Sequence, residues 1–309
     1  MYKRQTYLVP SDTATVLGQH VKNSRNLGLT LQRYVPQEAI DETDRLNDRG
    51  RSIGKERNFW LQDICREFKP DTALIESTYR RWLAMTEGAA RLTLVSRSRM
   101  IIGLGGKGAL ELGITLHPVT GLPYIPGSAL KGLCRNYTLY YIAAESGISL
   151  DPAAVKDPSE AARQLDEQLT ATANYGLNIH PEYAALYRAL FGKQEEAGQC
   201  VFYDAVIQDL PSDRPLFVLD VMTPHFRQYY ESNGATAPHD ADNPNPITYI
   251  TVNAGIMFAF AVGSRRTARQ APTGDALYLL DQALREWGIG AKTAAGYGLF
   301  KRVKGKKSA

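Results

Sequence analysis

Cysteine is scarce in this chain, three residues in 309 (Cys65, Cys134 and Cys200), and no two are neighbours in sequence. There is no CxxC pair, which excludes both a disulfide framework and the commonest zinc-binding spacing. Long apolar runs are absent too, so a transmembrane segment is not expected. The opening stretch "MYKRQTYLVPSDT" has basic residues but no apolar core behind them, unlike a secretory leader. These absences point to a protein of the reducing cytoplasm, with no metal or other cofactor expected.

Acids are missing from two places in particular. Between residues 91 and 135, Arg91, Arg97, Arg99, Lys107, Lys131 and Arg135 face only Glu111. From 288 to 309, Lys292, Lys301, Arg302, Lys304, Lys306 and Lys307 face no acid at all. The net charge of the chain is only +4, so the remainder is acidic. Such asymmetry is the electrostatic footprint of a bound polyanion, against the plainer reading of a solvated basic tail.

What is present reads as α+β. Residues 1–85 are polar and mainly helical, with "LTLQRYVP" a candidate extended exception. "NFWLQDICREF" sets Phe59, Trp60, Ile64 and Phe68 at near-helical spacing. From about 86 the pattern becomes strand, strand, helix, strands, helix, strand. "RLTLVS" and "GITLH" are the first two strands. A helix opening near Ser128 carries Leu130, Leu133, Cys134, Tyr137, Tyr140, Tyr141 and Ala144 as one apolar stripe. Residues 150–200 look like a helical insertion. "CVFYDAVI", "PLFVLDVM" and the long run "ITYITVNAGIMFAFAV" supply further strands, and "DALYLLDQALREW" a second helix. Two helices on one face of an antiparallel sheet, in this order, predict a ferredoxin-like (RRM-like) domain over 86–309, after an N-terminal helical extension over 1–85. Residues 227–246 form a long polar loop expected to protrude.

Several enzyme motifs fail on context. Gly103, Gly105 and Gly108 match G-x-G-x-x-G, but a strand rather than a helix follows, and no acid stands where a ribose would need one. Lys107 is followed by glycine, so there is no Walker loop. Asp204, Asp220 and His225 could form an acid–base or metal cluster, or could be carboxylates that simply hold loops. His117 could act as a general acid or base on RNA, although the sequence sets no second catalytic group beside it.

The stretch "GLPYIPGSALKGLCR" is the strongest local signal. Ser128 is expected to cap the helix and leave its first amides pointing outward, where a phosphate is favoured. Lys131 and Arg135 stand four apart off the apolar stripe, a repulsion that an anion would relieve. Gly127 and Gly132 suit a closely passing backbone. "GIGAKTAAGYG" adds Gly288, Gly290, Gly296 and Gly298 around Lys292, a second place where amides can approach phosphates. The expected RNA-binding set is therefore Lys107, Gly127, Ser128, Lys131, Arg135, Gly288, Gly290, Lys292, Gly296 and Gly298, lying in one groove.

These two segments together resemble the RAMP superfamily of CRISPR RNA-binding proteins. "GIGAKTAAGYG" matches that superfamily's glycine-rich loop, and "FYDAVI", "LDVMTPHFRQYY" and "NPITYITVNAGIMFAF" are similar to the sixth-subunit family of type III-B Cmr effector complexes. The resemblance covers about 86–303. It implies a non-catalytic subunit holding the 3′ part of a CRISPR RNA near the end of a filament. The implied partners are the CRISPR RNA, the target single-stranded RNA, the repeated backbone subunit and an end-capping RAMP subunit. The loop at 227–246, with Tyr229 and Tyr230 at its base, is then a candidate contact with guide or target bases. The alternative is a metal-independent endoribonuclease that processes CRISPR RNA through His117 or His225.

Overall fold

The computed structural model describes residues 9–20, 25–40, 54–105, 113–171, 179–222, 232–235, 237, 247–268 and 270–303. In chain order the early helices are α1 (Ser11–His20), α2 (Leu27–Arg33), α3 (Gln37–Ile40), α4 (Gly54–Glu67) and α5 (Thr72–Met85), followed by strand β1 (Ala90–Ser96). Then come helices α6 (Gly127–Glu145), α7 (Pro158–Thr170) and α8 (Pro181–Phe191), and the short strands β2 (Gly192–Lys193) and β3 (Glu196–Ala197). Strands β4 (Cys200–Phe202), β5 (Val206–Asp209), β6 (Phe217–Met222), β7 (Ile247–Val252) and β8 (Met257–Ser264) precede helix α9 (Thr273–Glu286) and strand β9 (Phe300–Arg302). The chain is thus a mixture of helix and antiparallel sheet, and it divides into two compact units.

The first unit comprises Met1–Asp71, Gly103–Pro123 and Pro211–Asn253. The segment "LTLQR" is helical rather than extended, because the Asn26 side chain accepts from the Leu29 amide at 3.0 Å and nucleates α2. The same side chain donates to the carbonyls of Pro118 (2.9 Å) and Val119 (3.2 Å), tying a distant turn to the helix start. "GITLH" is not a strand. Its only ladder contact among the described residues is an isolated bridge from Leu116 to Pro123. On α4 the buried apolar residues are Trp60, Leu61 and Cys65, with Phe68 buried just beyond its end, while Phe59 is exposed, so the apolar face is rotated from the one the spacing suggested. Phe68 meets Phe217 of β6 edge-on at 5.4 Å, and β6 pairs antiparallel with β7.

The second unit comprises Thr72–Ile102, Tyr124–Leu210 and Ala254–Ala309. Its sheet runs β4–β8–β1–β9, with β5 also paired to β8. The apolar run "ITYITVNAGIMFAFAV" therefore contributes two strands, not one. It breaks at Asn253–Ile256, where the Gly255 amide (φ +89°) turns back to the Ser96 carbonyl at 2.8 Å. On β8 alternate residues take opposite faces. Ala259 and Ala261 lie under Trp82 of α5, and Phe258 and Phe260 pack edge-on against Phe300 on the other side, where α9 crosses the sheet. Helices therefore cover both faces. A strand as apolar as "MFAFAV" demands this, since exposing either side would leave large side chains in water.

Candidate nucleic-acid interface

The start of α6 is built differently from the expectation. Pro126 occupies the cap position, Ser128 stands within the first turn and is exposed, and the Gly127 amide donates to Asp204 Oδ1 at 2.7 Å. Ser128 is thus not the cap. The carboxylate of Asp204, brought in from the bend between β4 and β5, takes an amide that was expected to face a phosphate. The bend itself is held by the Trp82 indole, which donates to the Asp204 carbonyl at 2.8 Å. Asp204 is a loop-holding carboxylate, as one of the two readings had it, although its residue is exposed rather than buried. Gly127 is required by the protein's own packing, because a Cβ there would collide with the Phe202 carbonyl oxygen.

Arg135 is also committed within the chain. Its guanidinium donates to Asp166 of α7 at 2.8 and 2.9 Å and to the Tyr187 hydroxyl oxygen at 3.0 Å, and lies over the Tyr187 ring at 5.7 Å. Tyr187 itself donates to Asp166. Burial, and then the Asp166 carboxylate, push the Tyr187 phenol well above its ordinary range. This half-buried network fastens α6 to α7 and α8.

Lys131 behaves otherwise. Among the described residues it has no carboxylate partner, and its charged neighbours are Arg135 and Arg265. Partial burial, followed by those two cations, holds its ammonium below the usual lysine range. Arg265 and Arg266 follow β8 directly and are both exposed. Neither was singled out from sequence, although the adjacent arginines in "GSRRTAR" were a visible signal. Cys200, at the start of β4, lies beside Lys131, and burial pushes its thiol up to about 11.

The glycine loop is laced to the segment leaving β1. The Ala291 amide donates to Ile101 (2.8 Å), the Gly298 amide to Arg99 (2.8 Å) and the Arg97 amide to Leu299 (2.7 Å). Gly288, Gly290 and Gly298 all have positive φ, and a Cβ at any of them would strike backbone of the same chain. Gly296, with φ +86°, has open space around its missing Cβ. Lys292 stands in the left-handed region at φ 61°, an uncommon conformation for a side-chain-bearing residue. Arg97 and Arg99 are exposed along the same stretch. The helix start and this loop lie at opposite edges of the sheet, one against β4 and β5, the other leading into β9, with β8 and β1 between them. Across the strands alone, the three steps from β4 to β9 span about 14 Å.

The remaining sites are quickly placed. His117 is exposed, and its Nδ1 accepts long bonds from the Val119 (3.3 Å) and Thr120 (3.4 Å) amides, so the ring stabilises its own turn. Asp220 lies on β6 and accepts from the Val221 amide at 2.9 Å. Lys107, His225, Tyr229 and Tyr230 fall outside the described residues. Among the described residues no group of His, Cys, Asp or Glu could hold a metal ion, and no helix is long and apolar enough to cross a membrane.

Comparison with known proteins identifies the frame that carries these features. The family model for the RAMP superfamily matches residues 93–301, more than half of the chain. The chain belongs to the RAMP superfamily. Within it, this RAMP protein is similar to the CRISPR system Cmr subunit Cmr6 of Pyrococcus furiosus, 35% identical over 66% of this chain and 65% of that protein. It is also similar to the CRISPR system CMR subunit Cmr6 of Saccharolobus solfataricus, 28% identical over 68% of this chain and 57% of the relative. Both alignments thus span less than two thirds of the relative's length. A chain in the cryo-EM structure of the Type III-B Cmr-beta bound to cognate target RNA shares the fold, with a TM-score of 0.54 and 22% identity, covering 94% of this chain and 90% of that one.

Proposed function

We propose that this RAMP protein is a non-catalytic, RNA-holding subunit of a type III-B CRISPR effector complex in the cytoplasm. It would hold the 3′ part of the CRISPR RNA near the end of the backbone filament, beside the repeated backbone subunit and an end-capping RAMP subunit. A ferredoxin-like RAMP domain over 86–309 would carry the RNA and the segment 1–85 would extend it. The observation that carries the reading is Lys131. Its ammonium is partly buried, and of its two cationic neighbours Arg135 is paired with Asp166 while Arg265 is exposed, an arrangement that a phosphate would relieve. Lys131, Arg265 and Arg266 form one proposed contact with the RNA backbone. The stretch Arg97, Arg99, Lys292 and Gly296 forms a second, and Lys107 belongs with the set by sequence. Recognition would be of phosphate and shape, since a guide varies in sequence. Tyr229 and Tyr230 are proposed to stack on guide or target bases.

The test is binding of CRISPR RNA as a function of salt. Lys131→Ala with Arg265→Ala should weaken binding similarly for unrelated guides and lower the salt slope by about 2, one unit per lost phosphate contact. An unchanged slope would place the RNA elsewhere. The same protein incubated with repeat RNA in chelator should leave it intact; cleavage abolished by His117→Ala or His225→Ala would overturn the non-catalytic reading.

A further inference from the structure

The apolar stripe expected along α6 divides in the structure into two faces. Leu130, Cys134, Thr138, Leu139, Ile142 and Ala143 point into the protein, while Tyr140 and Tyr141 are 40% and 42% exposed. Tyr137 lies on the outer side as well, half-buried, with its ring edge-on to Trp287 at 5.2 Å and its hydroxyl donating to Glu286 at 2.9 Å. Trp287 receives Tyr140 at the same distance of 5.2 Å. Beyond Tyr141, the Tyr183 hydroxyl stands beside Glu145, with Glu182 and the Tyr141 hydroxyl in reach. One continuous aromatic surface thus runs across α6, the end of α9 and the start of α8, and its polar edge is made by Glu145, Glu182 and Glu286.

We infer that this face is a docking surface for an arginine-bearing segment of a neighbouring protein subunit. Guanidinium groups stack on aromatic faces and pair with carboxylates, and this surface offers both within one side chain's reach. Tyrosine and tryptophan are the side chains that most often anchor protein interfaces, because they bury large rigid area at low entropic cost. The three carboxylates set the sign of the partner. A phosphate backbone would be repelled from them, and a second copy meeting the same face would oppose acid to acid. Among the described residues two basic groups border the rim: Arg285, which is held by Asp281 at 3.2 Å, a carboxylate that Arg302 shares at 2.6 Å, and His180, whose Nδ1 lies 3.8 Å from Glu182. The inference rests on the reading of this chain as a subunit of an effector complex, but it uses none of the residues assigned to RNA, so its failure and that of the RNA contacts are read separately.

The experiment uses the full chain co-expressed with the other subunits of its effector complex, pulled down through a tag on a different subunit. Tyr140→Ser with Tyr141→Ser, and separately Glu145→Lys, should lower the occupancy of this subunit at least ten-fold. The far-UV spectrum and the CRISPR RNA affinity of the isolated protein should stay at wild-type values. In otherwise wild-type protein, Tyr140→p-benzoylphenylalanine should photo-crosslink, and mapping by mass spectrometry should find the adduct on a segment of another subunit that contains arginine. Wild-type occupancy of both variants, or an adduct on RNA, would overturn the inference. So would an adduct to a second copy of this chain, or to a segment without arginine.

Discussion

The start of α6 and the loop 288–298 have the same ingredients, glycines beside lysine and arginine, yet the protein uses them differently. At the helix start the space next to the backbone is filled from within. Asp204 takes the Gly127 amide, the Phe202 carbonyl takes the place of a Cβ, and Arg135 turns inward to Asp166. Among the described residues Lys131, with Arg265 near it, has no carboxylate partner. In the loop, Gly288, Gly290 and Gly298 are likewise closed against the chain, while Gly296 remains open and Lys292 is held in a left-handed conformation. Glycine content therefore does not distinguish a backbone folded closely on itself from one left open to a ligand. What lies within about 4 Å of the missing Cβ does.

The sharpest break of this comparison is Gly290→Val against Gly296→Val. At Gly290 both the positive φ and the Ile101 carbonyl oppose a side chain, so a loss of about 3 kcal/mol or more is expected in urea unfolding. At Gly296 only the conformational strain applies, of about 1–2 kcal/mol. Equal losses at the two positions would show that Gly296 is closed as well. Next comes Arg135→Ala, which leaves Asp166 and Tyr187 without their cation. Allowing for partial exposure of the pair, about 1–3 kcal/mol of stability should go, with the salt slope of RNA binding unchanged. A lower slope with stability intact would return Arg135 to the RNA contacts. Asp204→Ala should cost about 1 kcal/mol, the value of a helix cap, measured by thermal unfolding. The smallest effect is expected from Gly132→Ala, where a Cβ meets nothing within 4 Å. This change should raise stability by up to about 1 kcal/mol, and weaker RNA binding in that variant would reveal a ligand backbone passing close to the helix.

The sequence by itself determined the class of structure and the family. Alternation in "RLTLVS", the apolar run "MFAFAV" and the amphipathic stretch "DALYLLDQALREW" specify β1, β8 and α9, because periodicity follows from burial on one face or two. Cation-rich stretches without acids marked where an anion could bind, since charge composition is local information. The partner of each charge was a tertiary decision. Arg135 and Lys131 share a helix and are four residues apart, but Asp166 comes from a helix that begins 23 residues after Arg135, and Arg265 from the far end of β8. Capping of α6 by Asp204, 77 residues further along, left no trace at Ser128. The orientation of the α6 tyrosines was equally hidden. Tyr140 and Tyr141 fit an apolar stripe by spacing, and only the packing of other elements against the opposite side of α6, among them α9 where the Cys134 thiol meets the Ala276 carbonyl at 3.7 Å, decided which side of the helix faced water. Periodicity names the faces of a helix; which of two apolar faces is buried depends on the neighbour that covers it.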